Sequence, residues 1–125
     1  MIAALAVGIG GAIGAMARYG VNIFSARAFG VAFPYGTLGI NVIGCFIMGM
    51  AVALFAIREP VDPMLKLFLT TGILGGFTTF SAFSLETVML LERKPLLGVF
   101  YAAASVVLSV AGCWAGLRAV KWMTA

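Results

Sequence analysis

The sequence predicts an all-α membrane protein with four transmembrane helices. Of its 125 residues, 63% are hydrophobic and only 10% are charged, with a mean hydropathy of +1.15. Such a composition lies outside the range of soluble globular domains. Four uncharged runs reach the roughly 20 residues that a helix needs to cross an apolar core of about 30 Å. No stretch alternates as a barrel strand does. We therefore expect one four-helix transmembrane domain over residues 1–125.

Short polar or proline-containing segments separate the four runs. Counting uncharged residues places the spans at about residues 2–24, 36–57, 64–91 and 96–121. The segment Arg58-Glu59-Pro60-Val61-Asp62-Pro63 contains two of the four prolines and two of the four acids, and is the clearest loop. Glu92-Arg93-Lys94-Pro95 ends the third span. Three Gly-x-x-x-Gly spacings, starting at Gly10, Gly72 and Gly112, allow close helix approach in lipid, although glycine is common in membrane helices anyway.

The charged residues lie mainly at the borders of the spans. The net charge of +4 is dispersed, without a basic cluster that would follow phosphates, so we expect no nucleic-acid partner. The lysines and arginines divide four against four between the two membrane sides, which gives no positive-inside preference. This balance predicts insertion in both orientations and an antiparallel, dual-topology homodimer. One side would carry Arg58, Lys66, Arg118 and Lys121, and the other Arg18, Arg27, Arg93 and Lys94.

The third span contains the most unusual stretch, residues 69–83, with the sequence Leu-Thr-Thr-Gly-Ile-Leu-Gly-Gly-Phe-Thr-Thr-Phe-Ser-Ala-Phe. Adjacent glycines followed by β-branched threonines favour a departure from helical geometry between Gly75 and Thr79. Broken backbone at this depth must be covered by protein or line a cavity. Its free carbonyls could bind a cation, as in unwound transporter helices. A kinked helix with glycine packing is an equally good interpretation.

Aromatic and hydroxyl side chains recur at helical spacing. Phe80 and Phe83 share one helical face, and the positive edges of phenyl rings can contact an anion, although phenylalanines at this spacing most often simply pack. Hydroxyl groups recur every fourth residue in the last span, where they can donate to an anion or bond back to their own helix. A second polar pair opens the second span, and its asparagine amide is a ready anion donor. The hydroxyl stripe is Tyr101, Ser105 and Ser109, and the second pair is Thr37 and Asn41.

A few ionisable residues and cysteines lie within or near the spans. Glu86 is the only acid well inside a span and is expected at a pore mouth or in a salt bridge. Arg18 is expected to draw anions into a vestibule or to extend its side chain to the interface. Cys45 and Cys113 are treated as packing residues, because helix-interior cysteines rarely meet disulfide geometry.

Three segments resemble the CrcB/Fluc family of small bacterial fluoride channels, and the resemblance covers essentially the whole chain. They are Gly10-Gly11-Ala-Ile-Gly14-Ala-Met-Ala-Arg18-Tyr19, Gly36-Thr37-Leu-Gly-Ile-Asn41, and Gly72 to Glu86. The most specific part is Gly-Gly-x-Thr-Thr-Phe-Ser-x-Phe-Ser in the third segment. The chain departs from the family at Ala82, where threonine is common. That change removes one hydroxyl but keeps the phenylalanines in register, so we expect activity to survive.

The resemblance implies a passive fluoride channel of the bacterial cytoplasmic membrane, built as an antiparallel homodimer with two pores. It implies a structural, non-conducted Na⁺ held by backbone carbonyls that map onto Gly75 and Thr78. The pore residues map onto Phe80, Phe83, Asn41, Tyr101, Ser105 and Ser109, with Thr37 and Ser81 less securely placed.

Two other classes of membrane protein, and an enzyme, are the alternatives to a channel. A small four-helix, proton-coupled multidrug exporter would need a carboxylate in its first span, and this first span has none. A structural or assembly subunit would not need the polar stripes. Enzymatic activity is not expected, because no nucleophile–base pair, metal cluster or phosphate loop is present.

Overall fold

The computed structural model describes residues 1–125 and is entirely helical, with no β-strand. Four segments are long and apolar enough to cross a membrane: Ile2–Phe29, Tyr35–Ile57, Pro63–Arg93 and Pro95–Thr124. The predicted all-α class with four spans is confirmed. The first and last helices extend several residues beyond the apolar runs. Each of these helices has a basic residue in its last turn, Arg27 in the first and Lys121 in the last. There the positive charge interacts favourably with the negative end of the helix dipole.

The connections between spans are short and have recognisable stop and start signals. The first span ends at Gly30, whose φ of 76° lies in the left-handed region that glycine adopts without strain. The third span starts with Pro63 at its first position, and the Asp62 carboxylate accepts a 2.9 Å hydrogen bond from the Met64 N–H. In the same loop a hydrogen bond from Lys66 lowers the pKa of the Glu59 carboxyl. These local features set where the first span ends and where the third span begins.

The four spans pack as two principal pairs. The first span contacts the first half of the third span, residues 63–77, and the second span contacts the fourth. Glycines bring the backbones together in the first pair. A Cβ atom at Gly10 would lie 2.6 Å from the Phe68 carbonyl oxygen, and one at Gly76 would lie 2.5 Å from that of Gly11. All three Gly-x-x-x-Gly spacings therefore lie at helix contacts, as close packing in lipid requires.

The third span is broken near its middle, as the sequence predicts. It comprises an α-helical turn (Pro63–Leu67), a π-helical stretch (Phe68–Leu74), a second α-helical turn (Gly75–Phe77) and, after the break, the helix Ser81–Arg93. We call residues 63–77 the first half-helix and Ser81–Arg93 the second half-helix. The π-helical stretch was not predicted. Such stretches accommodate one extra residue per turn and often accompany functional sites.

The break lies further along the chain than expected. Gly75 is helical (φ −63°, ψ −37°), and the backbone first becomes extended at Thr78 (φ −78°, ψ 156°). The expectation that the helix opens from Gly75 is therefore wrong by three residues. Gly76 is still helical and packs closely against Gly11 of the first span, so here the glycine serves helix contact and does not open the backbone.

A candidate ion pathway beside the broken helix

The Asn41 side chain closes the gap that the break leaves in the backbone. Its Nδ2 donates to the Thr79 carbonyl at 2.9 Å, and the Thr79 N–H donates to Asn41 Oδ1 at 2.9 Å. This reciprocal pair satisfies the N–H and the carbonyl of Thr79. Neither group has a partner within the helix, because the helix is interrupted here. One Nδ2 hydrogen remains free to donate elsewhere. Asn41 is thus both a structural clamp and a candidate anion donor.

Thr79 also caps the second half-helix. Its Oγ1 accepts a hydrogen bond from the Ala82 N–H at 3.2 Å and lies 3.4 Å from Ser81 Oγ. Threonine is a preferred residue at helix amino termini because its oxygen can satisfy one of the free N–H groups. This role of Thr79 was not predicted from the sequence. The sequence does contain a signal for it, because a threonine just before a predicted helix is a candidate amino-terminal cap.

Arg18 reaches the break from the first span. Its Nε donates to the Gly76 carbonyl at 3.2 Å, and the side chain is partly buried. In the single chain this contact satisfies a backbone group just before the break. Arg18 lines neither of the two polar cavities described below. Its role in an anion vestibule stays a prediction.

Two backbone carbonyls at the break, those of Gly75 and Thr78, accept none of the hydrogen bonds formed outside the helices. The N–H and the hydroxyl of Thr78 both donate hydrogen bonds to the Leu74 carbonyl, at 3.0 and 2.9 Å. Carbonyls at this depth cannot be left facing lipid without cost. Gly75 and Thr78, the two residues predicted to hold a cation, are thus among those with a free carbonyl.

Three aromatic rings run from the surface of the chain into its interior. Phe80 is 77% exposed, and its ring centroid lies 5.5 Å from that of Phe83. The Phe83 ring in turn lies 5.5 Å from that of Tyr101, which is fully buried. The tilted arrangement presents ring edges, where the positive part of the quadrupole lies. The predicted pair Phe80 and Phe83 is therefore brought together.

A cavity of about 310 Å³ lies beside these rings, between the second, third and fourth spans. We call it the central cavity. Within it the Ser105 hydroxyl is buried and makes no hydrogen bond, so it is available as a donor. An unsatisfied buried hydroxyl is uncommon and calls for a partner. The cavity is lined by Asn41, Cys45, Thr78, Thr79, Phe80, Phe83, Ser105, Val106, Ser109 and Val110. Five of the eight predicted pore residues belong to this set.

The other three predicted pore residues lie outside the central cavity. Tyr101 does not line it and donates its hydroxyl to Glu86 Oε1 at 3.2 Å. Thr37 lines a second cavity of about 260 Å³ near one membrane end, together with Glu86 and Arg93. We call this the end cavity. Ser81 is exposed at the start of the second half-helix. Glu86 forms no salt bridge. Its carboxylate accepts the hydrogen bond from Tyr101, and the residue also lines the end cavity.

The fold and these cavities define a small multi-pass membrane protein whose polar groups converge beside a broken helix. The chain belongs to the CrcB-like family, because the family model described as "CrcB-like protein, Camphor Resistance (CrcB)" matches residues 5–117. This confirms the resemblance that the motifs indicate.

Relatives with similar sequences cover almost the whole chain. A fluoride-specific ion channel FluC of Rhizobium leguminosarum is 50% identical over 122 residues, which are 97% of this chain and 98% of that relative. Another, of Granulibacter bethesdensis, is 51% identical over 122 residues, or 97% and 96% of the two chains. FluC 2 of Nitrobacter hamburgensis is 49% identical over 121 residues, or 96% and 98%. These relatives are named as ion channels and not as enzymes, in agreement with the prediction.

Proposed function

We propose that the protein is a fluoride-selective passive channel that exports fluoride across the bacterial cytoplasmic membrane and so lowers its toxicity. The observation that carries the proposal is the central cavity, where an unpartnered Ser105 hydroxyl, the free amide hydrogen of Asn41 and two phenyl rings lie together. The names of the relatives, fluoride-specific ion channels at about half identity, support it.

The chemistry of the cavity suits a small, tightly hydrated anion. Fluoride gives up its water only when donors replace it at close range, and the cavity offers hydroxyl, amide and ring-edge donors. No lysine or arginine lines the central cavity. A fixed buried charge would hold the anion too tightly, whereas conduction needs binding that is weak enough to release the ion. Neutral donors therefore favour passage over retention.

Efflux from liposomes tests this function directly. Purified protein is reconstituted into liposomes loaded with fluoride or with chloride, and release is followed with ion-selective electrodes after a potassium ionophore is added. We expect rapid fluoride release and chloride release close to that of protein-free liposomes. Equal release of both anions would disprove selectivity. Release that requires a proton gradient would favour a coupled transporter instead.

We further propose that the channel is an antiparallel, dual-topology homodimer. A single chain buries only 18 of its 125 residues, and it leaves Phe80 exposed beside a cavity bounded by polar groups. A polar, open cavity with free carbonyls cannot face lipid without cost, so a second copy is the natural cover. The four-against-four division of basic residues supports opposite insertion of the two copies.

Reporter fusions at the carboxyl terminus test the orientation of insertion. A cytoplasmic reporter and an external reporter, fused separately after Ala125, should both be active in cells. Each should give a substantial fraction of the signal of a single-orientation control protein. Activity of only one reporter would disprove dual insertion. A variant with added lysines after residue 121 provides the matched control, because its charge bias should shift the signal to one side.

A structural Na⁺ at the dimer interface is the third part of the proposal. The free carbonyls of Gly75 and Thr78 are oxygen donors, which hard cations prefer, and each chain of a symmetric pair supplies its own set. The ion would neutralise the carbonyl dipoles of two facing breaks. It would hold the copies together and would not itself cross the membrane.

Removal of sodium is expected to weaken the dimer. If sodium is normally present at about 100 times its dissociation constant, its loss removes about 2.7 kcal/mol of stabilisation, about 100-fold in the dimer dissociation constant. The measurement is the dimer fraction by light scattering in detergent, with sodium replaced by N-methylglucamine. Readdition of sodium should restore the dimer. An unchanged dimer fraction, together with unchanged fluoride efflux, would rule out the sodium site.

A further inference from the structure

The two cavities lie one helical turn apart along the same helices. On the second span Thr37 lines the end cavity and Asn41, four residues on, lines the central cavity. On the second half-helix Glu86 lines the end cavity and Phe83, three residues earlier, lines the central cavity. Residues three or four apart lie on one face of a helix. Tyr101 is fully buried and lines neither cavity, yet it contacts Phe83 with its ring and Glu86 with its hydroxyl. It therefore lies between the two cavities.

The ring of Phe33 covers Tyr101 on the side of the end cavity. The two ring centroids lie 5.4 Å apart and the ring planes meet at 87°, which is the edge-to-face geometry that aromatic pairs favour. Phe33 lines the end cavity and Tyr101 does not. On this side the cavity therefore ends at the Phe33 ring, and the Tyr101 ring lies behind it.

The first connecting loop, residues 30–34, fixes where the Phe33 ring lies. The ring centroid of Phe33 is 4.8 Å from that of Tyr35, and the Tyr35 N–H donates to the Phe33 carbonyl at 2.8 Å. Pro34 lies between them with φ −80°, and its own ring restricts rotation there. The Tyr35 ring packs in turn against that of Phe29, with centroids 5.5 Å apart. Phe33 is thus held from two sides, by its own loop and by Tyr101.

We propose that Phe33 is a positioning residue, which holds the Tyr101 side chain between the two cavities and thereby supports anion passage. The hydrogen bond from Tyr101 to Glu86 is 3.2 Å long, whereas hydroxyl donors commonly approach oxygen to about 2.7–2.8 Å. So long a bond does not fix the ring by itself. The Tyr101 ring is instead held between Phe83, at 5.5 Å, and Phe33, at 5.4 Å. Of these two rings only Phe83 lines the central cavity, so loss of Phe33 releases Tyr101 and leaves the wall of that cavity intact.

Nitration of tyrosine tests the placement of Tyr101 without reference to transport. Tetranitromethane, which enters apolar regions, is added to the protein in detergent, and nitrated peptides are followed over time by mass spectrometry. Tyr19, which is 68% exposed, is the internal reference. Tyr101 should react at least about tenfold more slowly than Tyr19, because a buried group reacts only when the structure opens locally. In Phe33→Leu, Tyr101 should react about tenfold faster than in the unmodified protein, near the upper end of what one aromatic pair contributes.

Further variants separate positioning from general packing. Phe33→Tyr keeps the ring and should restore slow nitration of Tyr101. Phe29→Leu is the matched control, because it removes a neighbouring ring that packs on Tyr35 and lines neither cavity. Its Tyr101 should react as in the unmodified protein. If Phe33→Leu does not unfold cooperatively, Phe33→Met, which fills more of the space, takes its place. Unchanged nitration of Tyr101 without the Phe33 ring, or equal acceleration in Phe29→Leu, would overturn the proposal.

The effect on passage rests on the proposed channel function and is measured separately. Fluoride efflux from proteoliposomes should fall by about three- to tenfold in Phe33→Leu and return towards the unmodified rate in Phe33→Tyr. In Phe29→Leu it should stay within about twofold of the unmodified rate. Normal efflux in Phe33→Leu, despite faster nitration, would overturn the link between the placement of Tyr101 and passage. No fluoride release from the unmodified protein would overturn the channel function itself, while the nitration result would still decide whether Phe33 positions Tyr101.

Discussion

In proteoliposomes, Phe80→Ile and Phe83→Ile are each expected to lower fluoride efflux by about 100-fold, equivalent to ~2.7 kcal/mol on the barrier to passage. The two rings lie 5.5 Å apart and stand at the entrance and wall of the central cavity. Isoleucine keeps the hydrophobic bulk but has no positive ring edge to present to the anion. The loss therefore reports mainly on the ring edge, since most of the apolar bulk is kept.

Phe24→Ile is the matched control for this pair. Phe24 is 67% exposed on the first span and lines neither cavity. Its replacement should leave fluoride efflux within about twofold of the unmodified protein, in line with the small effects of surface substitutions away from special features. Each variant is also compared for dimer fraction and thermal stability. Normal efflux in both Phe80→Ile and Phe83→Ile would rule out the role given to the rings.

Asn41→Asp is expected to abolish fluoride efflux, with a loss of at least about 100-fold, or ~2.7 kcal/mol. A carboxylate places negative charge on the wall of the anion path. It also has no N–H to give to the Thr79 carbonyl, which accepts from Asn41 at 2.9 Å. The lost clamp should lower the free energy of unfolding by about 1–3 kcal/mol. Efflux and thermal unfolding are measured on the same preparation.

Asn41→Ser separates the charge effect from the clamp effect. Serine cannot reproduce the reciprocal pair with Thr79 but adds no charge, so its stability should fall as far as that of Asn41→Asp. Its fluoride efflux should fall much less. If the two variants lose efflux equally, the clamp and not the charge controls passage. If Asn41→Asp retains normal efflux, Asn41 does not border the path.

Local sequence patterns were sufficient to predict the helices and their close contacts. Uncharged runs of about 20 residues fix the number of spans because the thickness of the bilayer leaves little freedom. Small residues four apart indicated helix contacts, and Gly10, Gly72 and Gly112 all lie at such contacts. The broken third span was also predicted from its composition. These features depend on neighbours in sequence, which is why one chain reveals them.

Features that depend on partners far along the chain could not be predicted. The glycines before the break were expected to unwind the helix, but Gly76 instead packs against Gly11 of another span, and the break moves to Thr78. The reciprocal Asn41–Thr79 pair joins residues 38 positions apart. The spacing of residues within either span does not predict such a pair. It emerges only when the second and third spans are brought side by side.

Helical spacing predicted which residues share one face of the fourth span. It did not predict how far along the membrane each polar group lies. Ser105 and Ser109 open onto the central cavity, as their stripe indicates. Tyr101 belongs to the same stripe, yet its long side chain carries the hydroxyl to Glu86 and towards the end cavity. Spacing of four residues fixes the direction of a side chain around the helix axis. It does not say how far a large side chain reaches along that axis.

The Asn41–Thr79 pair has a consequence for the order of assembly. Because the Asn41 amide satisfies both backbone groups of Thr79 from within one chain, this part of the break is held in place without a partner. In the proposed dimer, association would then not have to be coupled to refolding of the Thr79 segment. If the two chains insert in opposite directions, as proposed, copies inserted at different times could therefore meet by lateral diffusion alone.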